Sequence, residues 1–173
     1  MKIIISGGSG TGKTETISEL CRRGYLTVGE TIRQILKQPK YKKFPNGGFN
    51  QIYEVQLELT KKQHKREKLF DSWEEPVFFD RSLLDILCFT KYLGVLSKFG
   101  KDQKLFDSHD YNKVFILNPL MKYHRDNVRW ESENERDALH NKCIETYKKM
   151  GYEPIMVPKN TIEKRVNFIL SKI

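Results

Sequence analysis

A glycine-rich motif near the start of the chain constrains the fold most. It follows a short apolar run, Ile3–Ile5, and leads into a segment with helical patterning. Glycines allow the backbone to turn its N–H groups towards an anion, and the N-terminus of the following helix adds its dipole. In this context the spacing G-x-x-x-x-G-K-T predicts a phosphate-binding loop, or P-loop. Its members are Gly7, Gly8, Ser9, Gly10, Thr11, Gly12, Lys13 and Thr14.

The last two residues of this motif predict its ligands. The Lys13 ammonium can reach the β- and γ-phosphates of a nucleoside triphosphate, and the Thr14 hydroxyl can ligate Mg²⁺. We therefore expect ATP or GTP as the nucleotide, between which the sequence does not choose, and Mg²⁺ as the metal.

Apolar segments along the chain alternate between strand-like and helix-like lengths. The short runs predict strands buried on both faces of a parallel sheet; they lie near residues 2–6, 25–28, 77–80, 114–117 and 154–157. Helices are predicted at about 13–23, 30–37, 50–71, 82–96, 133–150 and 160–172, with a polar connection over 98–112. Because P-loops usually occur in such sheets, we expect one doubly wound α/β P-loop NTPase domain over residues 1–173. Its five-stranded parallel sheet would have the order 2-3-1-4-5, flanked by helices, with a small lid at about 118–135.

Composition excludes several classes of protein. No apolar run approaches the ~20 residues of a membrane span, and no targeting segment is expected because a strand opens the chain. The three cysteines lie far apart in the sequence, which favours a reducing cytoplasm over a disulfide framework or zinc site. The sequence gives no indication of oligomeric state.

The chain is basic, with 31 Lys+Arg against 22 Asp+Glu and a net charge of +9. The basic residues cluster over 37–43 and 61–68. These clusters fit either a solvated helix face or a peripheral contact with anionic lipid. A nucleic-acid partner is disfavoured because aromatic side chains are not interleaved in the second cluster.

Asp80 ends an apolar strand and is the predicted second ligand of the Mg²⁺ shell. The alternative is an N-cap for the helix that begins near Leu83. The next residue is Arg81, where a motor ATPase would normally carry a water-activating glutamate. A kinase therefore fits better than a mechanical ATPase.

Four further residues are candidates for binding the phosphate acceptor. Glu30 follows the second strand, where a carboxylate can take the proton of an acceptor hydroxyl, and Arg33 follows it; the alternative is a helix-start acid with a surface partner. Asp85 can bind a substrate hydroxyl or Arg81. Gln56 can read a base or amide, or be simply solvated.

The segment 123–131 has the charge pattern of a kinase lid, with Arg125 and Arg129 positioned in sequence to close on the transferring phosphoryl group. The alternative is a polar loop between helices with ordinary ion pairs.

Taken in order, these motifs resemble the AAA-like P-loop ATPase/kinase domains related to NadR-type ribosylnicotinamide kinases. The resemblance is carried by GGSGTGKT (7–14), E-x-x-R (30–33), FFDRSLLD (78–85) and D-x-x-R-x-E (126–131). It implies Lys13 and Thr14 on phosphate and Mg²⁺, Asp80 at the metal, Glu30 or Asp85 near the acceptor, and Arg125 and Arg129 as lid arginines. Arg81 joins the substrate-binding set.

Two departures limit the resemblance. The basic loop over 38–48 has no counterpart that we can match, and no adenylyltransferase domain is present in this sequence. Members of the family are also proposed to bind GTP and phosphoinositides.

The prediction is therefore a Mg²⁺-dependent kinase that transfers the γ-phosphate to a small hydroxyl acceptor, a nucleoside or ribosyl compound being the leading class. The alternative is a nucleotide-regulated binding protein with slow hydrolysis that contacts anionic lipid or a protein partner. A kinase acting on nucleic-acid ends has no support beyond charge.

Overall fold

A computed structural model describes residues 1–119 and 133–173. Within them a five-stranded parallel sheet has the order β2-β3-β1-β4-β5, which confirms the predicted topology. The strands are β1 (Lys2–Ser6), β2 (Leu26–Val28), β3 (Val77–Asp80), β4 (Lys113–Leu117) and β5 (Ile155–Val157). Every residue of β1 and β3 is buried, as expected for central strands covered on both faces.

Helices cover both faces of the sheet because successive strand residues point to opposite sides. They are α1 (Lys13–Arg22), α2 (Ile32–Leu36), α3 (Gly48–Lys68), α4 (Leu83–Tyr92), α5 (Glu133–Lys149) and α6 (Ile162–Leu170). On one face Ile3 and Ile5 pack with residues of α1 and α6. On the other face Ile4 packs with residues of α3 and α4.

The predicted polar connection over 98–112 is wrong in one respect. Leu96–Ser108 forms 3₁₀ turns that break at Gly100, whose φ is 50°. Phe99 and Phe106 are buried there, with ring centroids 5.5 Å apart, and join the core on the α3 side of the sheet. The segment is therefore part of the core rather than a solvated link.

Three other features bear on the sequence predictions. The described residues include no helix that is both long and apolar enough to cross a membrane. All three cysteines are free, and two that are distant in sequence meet: Sγ of Cys88 in α4 lies 3.2 Å from Sγ of Cys143 in α5. Glu30 precedes α2 instead of lying within it, because that helix begins only at Ile32.

The carboxyl ends of the strands carry the polar residues of the predicted site. The P-loop follows β1, Glu30 follows β2, and Asp80 ends β3. Since the strands are parallel, these groups converge at one edge of the sheet, where ligands of doubly wound folds bind.

Candidate functional site

The P-loop wraps tightly between β1 and the start of α1. Gly7 has a φ of 133°, and a Cβ atom there would lie 2.8 Å from the backbone oxygen of Leu117. Gly12 is left-handed, with a φ of 83°, and is the N-cap of α1. Only glycine meets both requirements without strain. The loop thus delivers the unpaired N–H groups of the first turn of α1 to the cleft, as an anion site requires.

The Lys13 ammonium is held inside this loop by backbone oxygens. Nζ donates to the carbonyl oxygens of Gly7, at 3.0 Å, and Gly8, at 2.8 Å. Burial lowers the pKa of Lys13 to about 8, and repulsion by Arg81 adds to this, although nearby carboxylates oppose it. A bound polyanion would supply the direct countercharge that the loop carbonyls do not.

Thr14 and Asp80 lie together beside the loop. The Thr14 hydroxyl donates to Oδ2 of Asp80 at 3.3 Å, since β1 and β3 are neighbours and Ile5 is in register with Asp80. Burial raises the pKa of Asp80 to about 6, although Lys13 acts to lower it.

The other carboxylate oxygen of Asp80, Oδ1, is buried and has no hydrogen-bond partner in residues 1–119 and 133–173. An orphaned carboxylate oxygen beside a hydroxyl fits Mg²⁺, which uses one or two protein ligands together with substrate phosphates. The alternative role of Asp80 as an N-cap is wrong, because Ser82 caps α4.

Glu30 and Arg81 form the second charged pair of the site. Nε of Arg81 donates to Oε1 of Glu30 at 2.8 Å, and Nε of Arg33 lies 3.8 Å from Oε2. Burial opposes ionisation of Glu30, but Arg81 and Lys13 outweigh it and the pKa of Glu30 lies below its usual value. Arg81 has a φ of 73°, unusual for a residue with a side chain. Such strain is often found where a side chain must be held in one place for function.

A cleft of about 850 Å³, including its open mouth, joins these groups. Its lining combines the polar residues of the P-loop, Glu30 and Arg81 with apolar side chains. Its apolar lining consists of Ile32, Phe44, Leu59, Ile86, Phe89 and Leu93. Apolar lining combined with a small number of placed polar groups is typical of small-molecule sites.

Gln56 lies in the wall of this cleft. The sequence left two roles open for it, recognition of a ligand and simple solvation. The residue is 3% exposed, and its Oε1 accepts a hydrogen bond from the Thr90 hydroxyl at 3.2 Å. That bond fixes the orientation of the amide group, and simple solvation is excluded by the burial.

Asp85 borders the cleft but its oxygens are occupied. The residue is fully buried; Oδ2 accepts from the backbone of Ser82 at 2.9 Å and from the Tyr147 hydroxyl at 2.6 Å, while Oδ1 accepts from Ser6. Asp85 and Ser82 form a capping box at the start of α4. Nη1 of Arg81 lies 3.8 Å from Oδ1. The structure thus gives Asp85 a structural role beneath the site.

Two residues that the sequence analysis did not select also contact the P-loop. Nδ1 of His140, in α5, accepts a hydrogen bond from the backbone N–H of Gly8 at 3.1 Å. Arg165, in α6, is fully buried and donates to the carbonyl oxygens of Thr11, at 2.6 Å, and Asn118, at 3.1 Å. Arg165 had a detectable signal, since it lies three residues after Ile162 and four before Ile169, on the apolar side of α6, where a charged residue must find a partner. His140 had none.

Two sets of sequence predictions remain. Arg125 and Arg129, with most of the proposed lid, lie outside the described residues. The basic clusters are partly neutralised: Lys40 and Lys62 pair with Glu58 at 3.1 and 3.2 Å, and Lys61 pairs with Asp102 at 3.5 Å. This pairing favours a solvated helix face.

Comparison with known proteins agrees with the geometry of the loop and the sheet. A family model described as the AAA domain matches residues 2–165. The comparison with curated protein sequences gives no match.

Solved structures resemble the chain over nearly its whole length. A deoxyadenosine kinase from M. mycoides with the products dCMP and a flexible dCDP bound has a TM-score of 0.77 and 20% identity, covering 99% of this chain and 98% of that one. The same kinase with bound dATP has a TM-score of 0.76 and 19% identity, with the same coverage. NadR protein in complex with NR has a TM-score of 0.78 and 13% identity, and the match covers 98% of this chain but 50% of NadR. At these identities the likeness shows the fold.

Proposed function

We propose that this chain, which belongs to the AAA domain family, is a Mg²⁺-dependent kinase that transfers the γ-phosphoryl group of ATP or GTP to a hydroxyl of a nucleoside or ribosyl compound. The observation that carries the proposal is a single cleft that joins the P-loop to the Glu30–Arg81 pair and to an apolar pocket. A triphosphate donor and a hydroxyl acceptor can then meet in one cleft.

At the donor end, Lys13 and the N–H groups at the start of α1 bind the phosphates. Mg²⁺, held by Thr14 and Asp80, would neutralise charge on the phosphate oxygens. Because phosphoryl transfer needs little covalent chemistry from the protein, positioning and charge neutralisation account for most of the catalysis. Arg125 and Arg129 would add lid cations, a role that stays a prediction from the sequence.

At the acceptor end, Glu30 is the general base. Arg81 holds its carboxylate in the ionised form, at 2.8 Å, and fixes its position at the end of β2. An acceptor hydroxyl that donates to Glu30 would pass its proton to the carboxylate as the oxygen attacks the γ-phosphorus. The bond from the γ-phosphorus to the β,γ-bridging oxygen would break in the same step and release the nucleoside diphosphate. Arg33, on the rim of the cleft, would bind a polar group of the acceptor.

The apolar side chains of the cleft suit a flat heterocycle. Phe44 and Phe89 line the cleft, and the oriented amide of Gln56 provides a polar group that can read the edge of a base. The similar solved structures hold dATP, dCMP or NR. These ligands support a nucleoside-class acceptor here, without choosing among bases or between ribose and deoxyribose.

A direct transfer assay tests the proposal. The chain is incubated with γ-labelled ATP or GTP, Mg²⁺ and a panel of nucleosides and ribosyl compounds, with Lys13→Ala as the inactive reference. We expect acceptor-dependent label in a nucleoside monophosphate or ribosyl phosphate, lost in the variant. Hydrolysis without transfer to any acceptor, together with salt-sensitive binding to anionic vesicles, would instead indicate the nucleotide-regulated binding protein.

A further inference from the structure

Helix α5 packs directly on the P-loop at Gly8. A Cβ atom built on Gly8 would lie 3.2 Å from Cβ of His140 and 3.3 Å from the backbone oxygen of Arg136. Contacts of this length are tighter than most that a Cβ atom makes, so a side chain at position 8 would require α5 to move by a few tenths of an ångström. Close approach of α5 therefore favours glycine at this position.

The contact includes one polar bond. The backbone N–H of Gly8 donates to Nδ1 of His140 at 3.1 Å, and the imidazole is 6% exposed. Nδ1 must therefore be unprotonated, with the ring proton on Nε2. A buried backbone N–H without this acceptor would be unsatisfied.

Gly8 also holds the lysine of the motif. Its carbonyl oxygen accepts from Nζ of Lys13 at 2.8 Å and from the Thr11 hydroxyl at 3.0 Å. The residue thus binds the imidazole through its amide and the ammonium through its carbonyl. Movement of Gly8 towards or away from α5 would displace Lys13.

We propose that His140 is a positioning residue of the P-loop: while Nδ1 is unprotonated it anchors Gly8, and through Gly8 the Lys13 ammonium, in the geometry that binds triphosphate, and its protonation releases that anchor. The proposal rests on the proposed function only in requiring that a triphosphate binds at this loop. It makes nucleotide affinity sensitive to acid through a residue that acts on the loop by its bond to Gly8.

The charged groups around the imidazole support this role. Lys13 faces it from the start of α1, and Arg136 and Asp137 face it from its own helix, where they pair at 2.8 Å. Helix α4, which also packs against α5, brings Cys88 onto Cys143. Burial lowers the pKa of His140, Lys13 and Arg136 lower it further, and Asp137 acts in the opposite direction. The neutral ring is the form that anchors Gly8 at neutral pH.

Protonation would disturb the loop in two ways. The acceptor Nδ1 would become a donor that faces another donor, the Gly8 N–H. A positive charge would also be added near Lys13. Both effects favour separation of α5 from the loop, so affinity for triphosphate should fall as the pH falls through the pKa of His140.

Two variants separate the hydrogen-bond acceptor at position 140 from the protonation of the imidazole. His140→Asn offers a carbonyl oxygen near the position of Nδ1 but does not titrate, whereas His140→Leu removes the acceptor. The probe is a non-hydrolysable ATP analogue with Mg²⁺, titrated calorimetrically into the full chain between about pH 5.5 and 8. His109→Asn is the matched control. His109 lies just before β4, at the amino ends of the strands and away from the P-loop, and its Nδ1 contacts the Tyr152 hydroxyl.

We expect His140→Asn to bind within about threefold of wild type at pH 7.5 and His140→Leu to bind roughly tenfold more weakly, the effect of one unsatisfied buried donor. At pH 5.5 wild type and His109→Asn should lose measurably more affinity than His140→Asn does; the extra loss stays below about tenfold because the pKa of His140 lies below its ordinary value. The phosphate itself protonates near pH 6, so the difference between these curves is the measurement.

Parallel pH curves for wild type and His140→Asn would overturn the proposal, as would wild-type affinity in a folded His140→Leu. If His140→Leu does not fold, the pH curves of wild type and His140→Asn still decide whether the proposal holds. Failure of wild type to bind the triphosphate would refute the proposed function instead. Binding by wild type with no difference among the variants refutes the role of His140 alone.

Discussion

The Thr14 hydroxyl lies 3.3 Å from Oδ2 of Asp80, and this contact joins the last residue of the P-loop to the end of the neighbouring strand β3. The second oxygen of the same carboxylate is buried and has no hydrogen-bond partner in the described part of the chain. A buried carboxylate oxygen without a partner is costly unless a cation or a donor completes it. This arrangement supports the proposal that the pair holds a divalent ion.

Asp80→Asn should abolish most of the effect of Mg²⁺ on triphosphate binding. In wild type, Mg²⁺ should tighten binding; in the variant we expect this gain to fall by roughly 10–100-fold, as for other metal-site changes. Titration of the nucleotide at several Mg²⁺ concentrations measures it. Asp110→Asn, at an exposed carboxylate, serves as the control. Unchanged metal dependence in Asp80→Asn would remove Asp80 from the metal site.

Glu30→Gln should lower turnover and spare metal binding. The amide keeps an oxygen for Arg81 but cannot accept the acceptor's proton, so kcat should fall by ~10²–10⁴-fold. Steady-state kinetics measures this, with Glu15→Gln, another acid on the cleft wall, as the control. If Glu30→Gln kept the full rate while Asp80→Asn were inactive and still bound Mg²⁺, Asp80 and not Glu30 would be the general base.

The sheet was predictable because its strands are short apolar runs that end in polar motifs. Their order could be predicted as well, since the P-loop type fixes which strands flank β1. The 3₁₀ segment was not predictable in this way. Phe99 and Phe106 are spaced without helix or strand periodicity among charged residues, so their burial depends on packing against α3 and α4.

Gln56→Leu should impair recognition of the acceptor and not of the nucleotide. Leucine has a similar volume but loses the amide that the Thr90 hydroxyl orients. We expect the acceptor KM to rise roughly tenfold or more, since a site built to hydrogen-bond its ligand depends on that group, while the Kd for triphosphate stays the same. Gln34→Leu, at an exposed position of α2, controls for added apolar surface. Equal losses for donor and acceptor would exclude a role in acceptor recognition.

The candidate site was predictable where chemistry and chain position coincide. Lys13, Thr14 and Asp80 belong to motifs whose spacing fixes their geometry. The Glu30–Arg81 ion pair could not be read from the sequence, because the two residues are distant and meet only through the pairing of β2 with β3. His140 reaches the loop from α5, and nothing in the local sequence distinguishes it from a solvated helix residue.

The burial of Glu67, away from the candidate site, predicts that the stability of the fold depends on pH. It is 2% exposed at the junction of α3, α4 and β4; Oε1 accepts from Gln63 and from the backbone of Leu83, both at 2.9 Å, and Oε2 accepts from the Tyr111 hydroxyl at 2.8 Å. Burial raises the pKa of Glu67 from 4.5 to about 7, although these three hydrogen bonds act to lower it.

A raised pKa in the folded state means that the folded chain binds the proton more tightly than the unfolded chain does. The contribution of Glu67 to the free energy of unfolding should therefore be largest below pH 4.5 and should be lost as the pH rises through about 7. The contribution of this group is on the order of 3 kcal/mol by linkage.

Glu67→Gln keeps Oε1 as an acceptor and can donate to the Tyr111 oxygen, so it should flatten this decline. Urea unfolding of wild type, Glu67→Gln and the exposed control Glu153→Gln at pH values from about 5 to 8 measures the difference. If wild type and Glu67→Gln decline in parallel, Glu67 is ionised in the folded state and its three donors outweigh its burial.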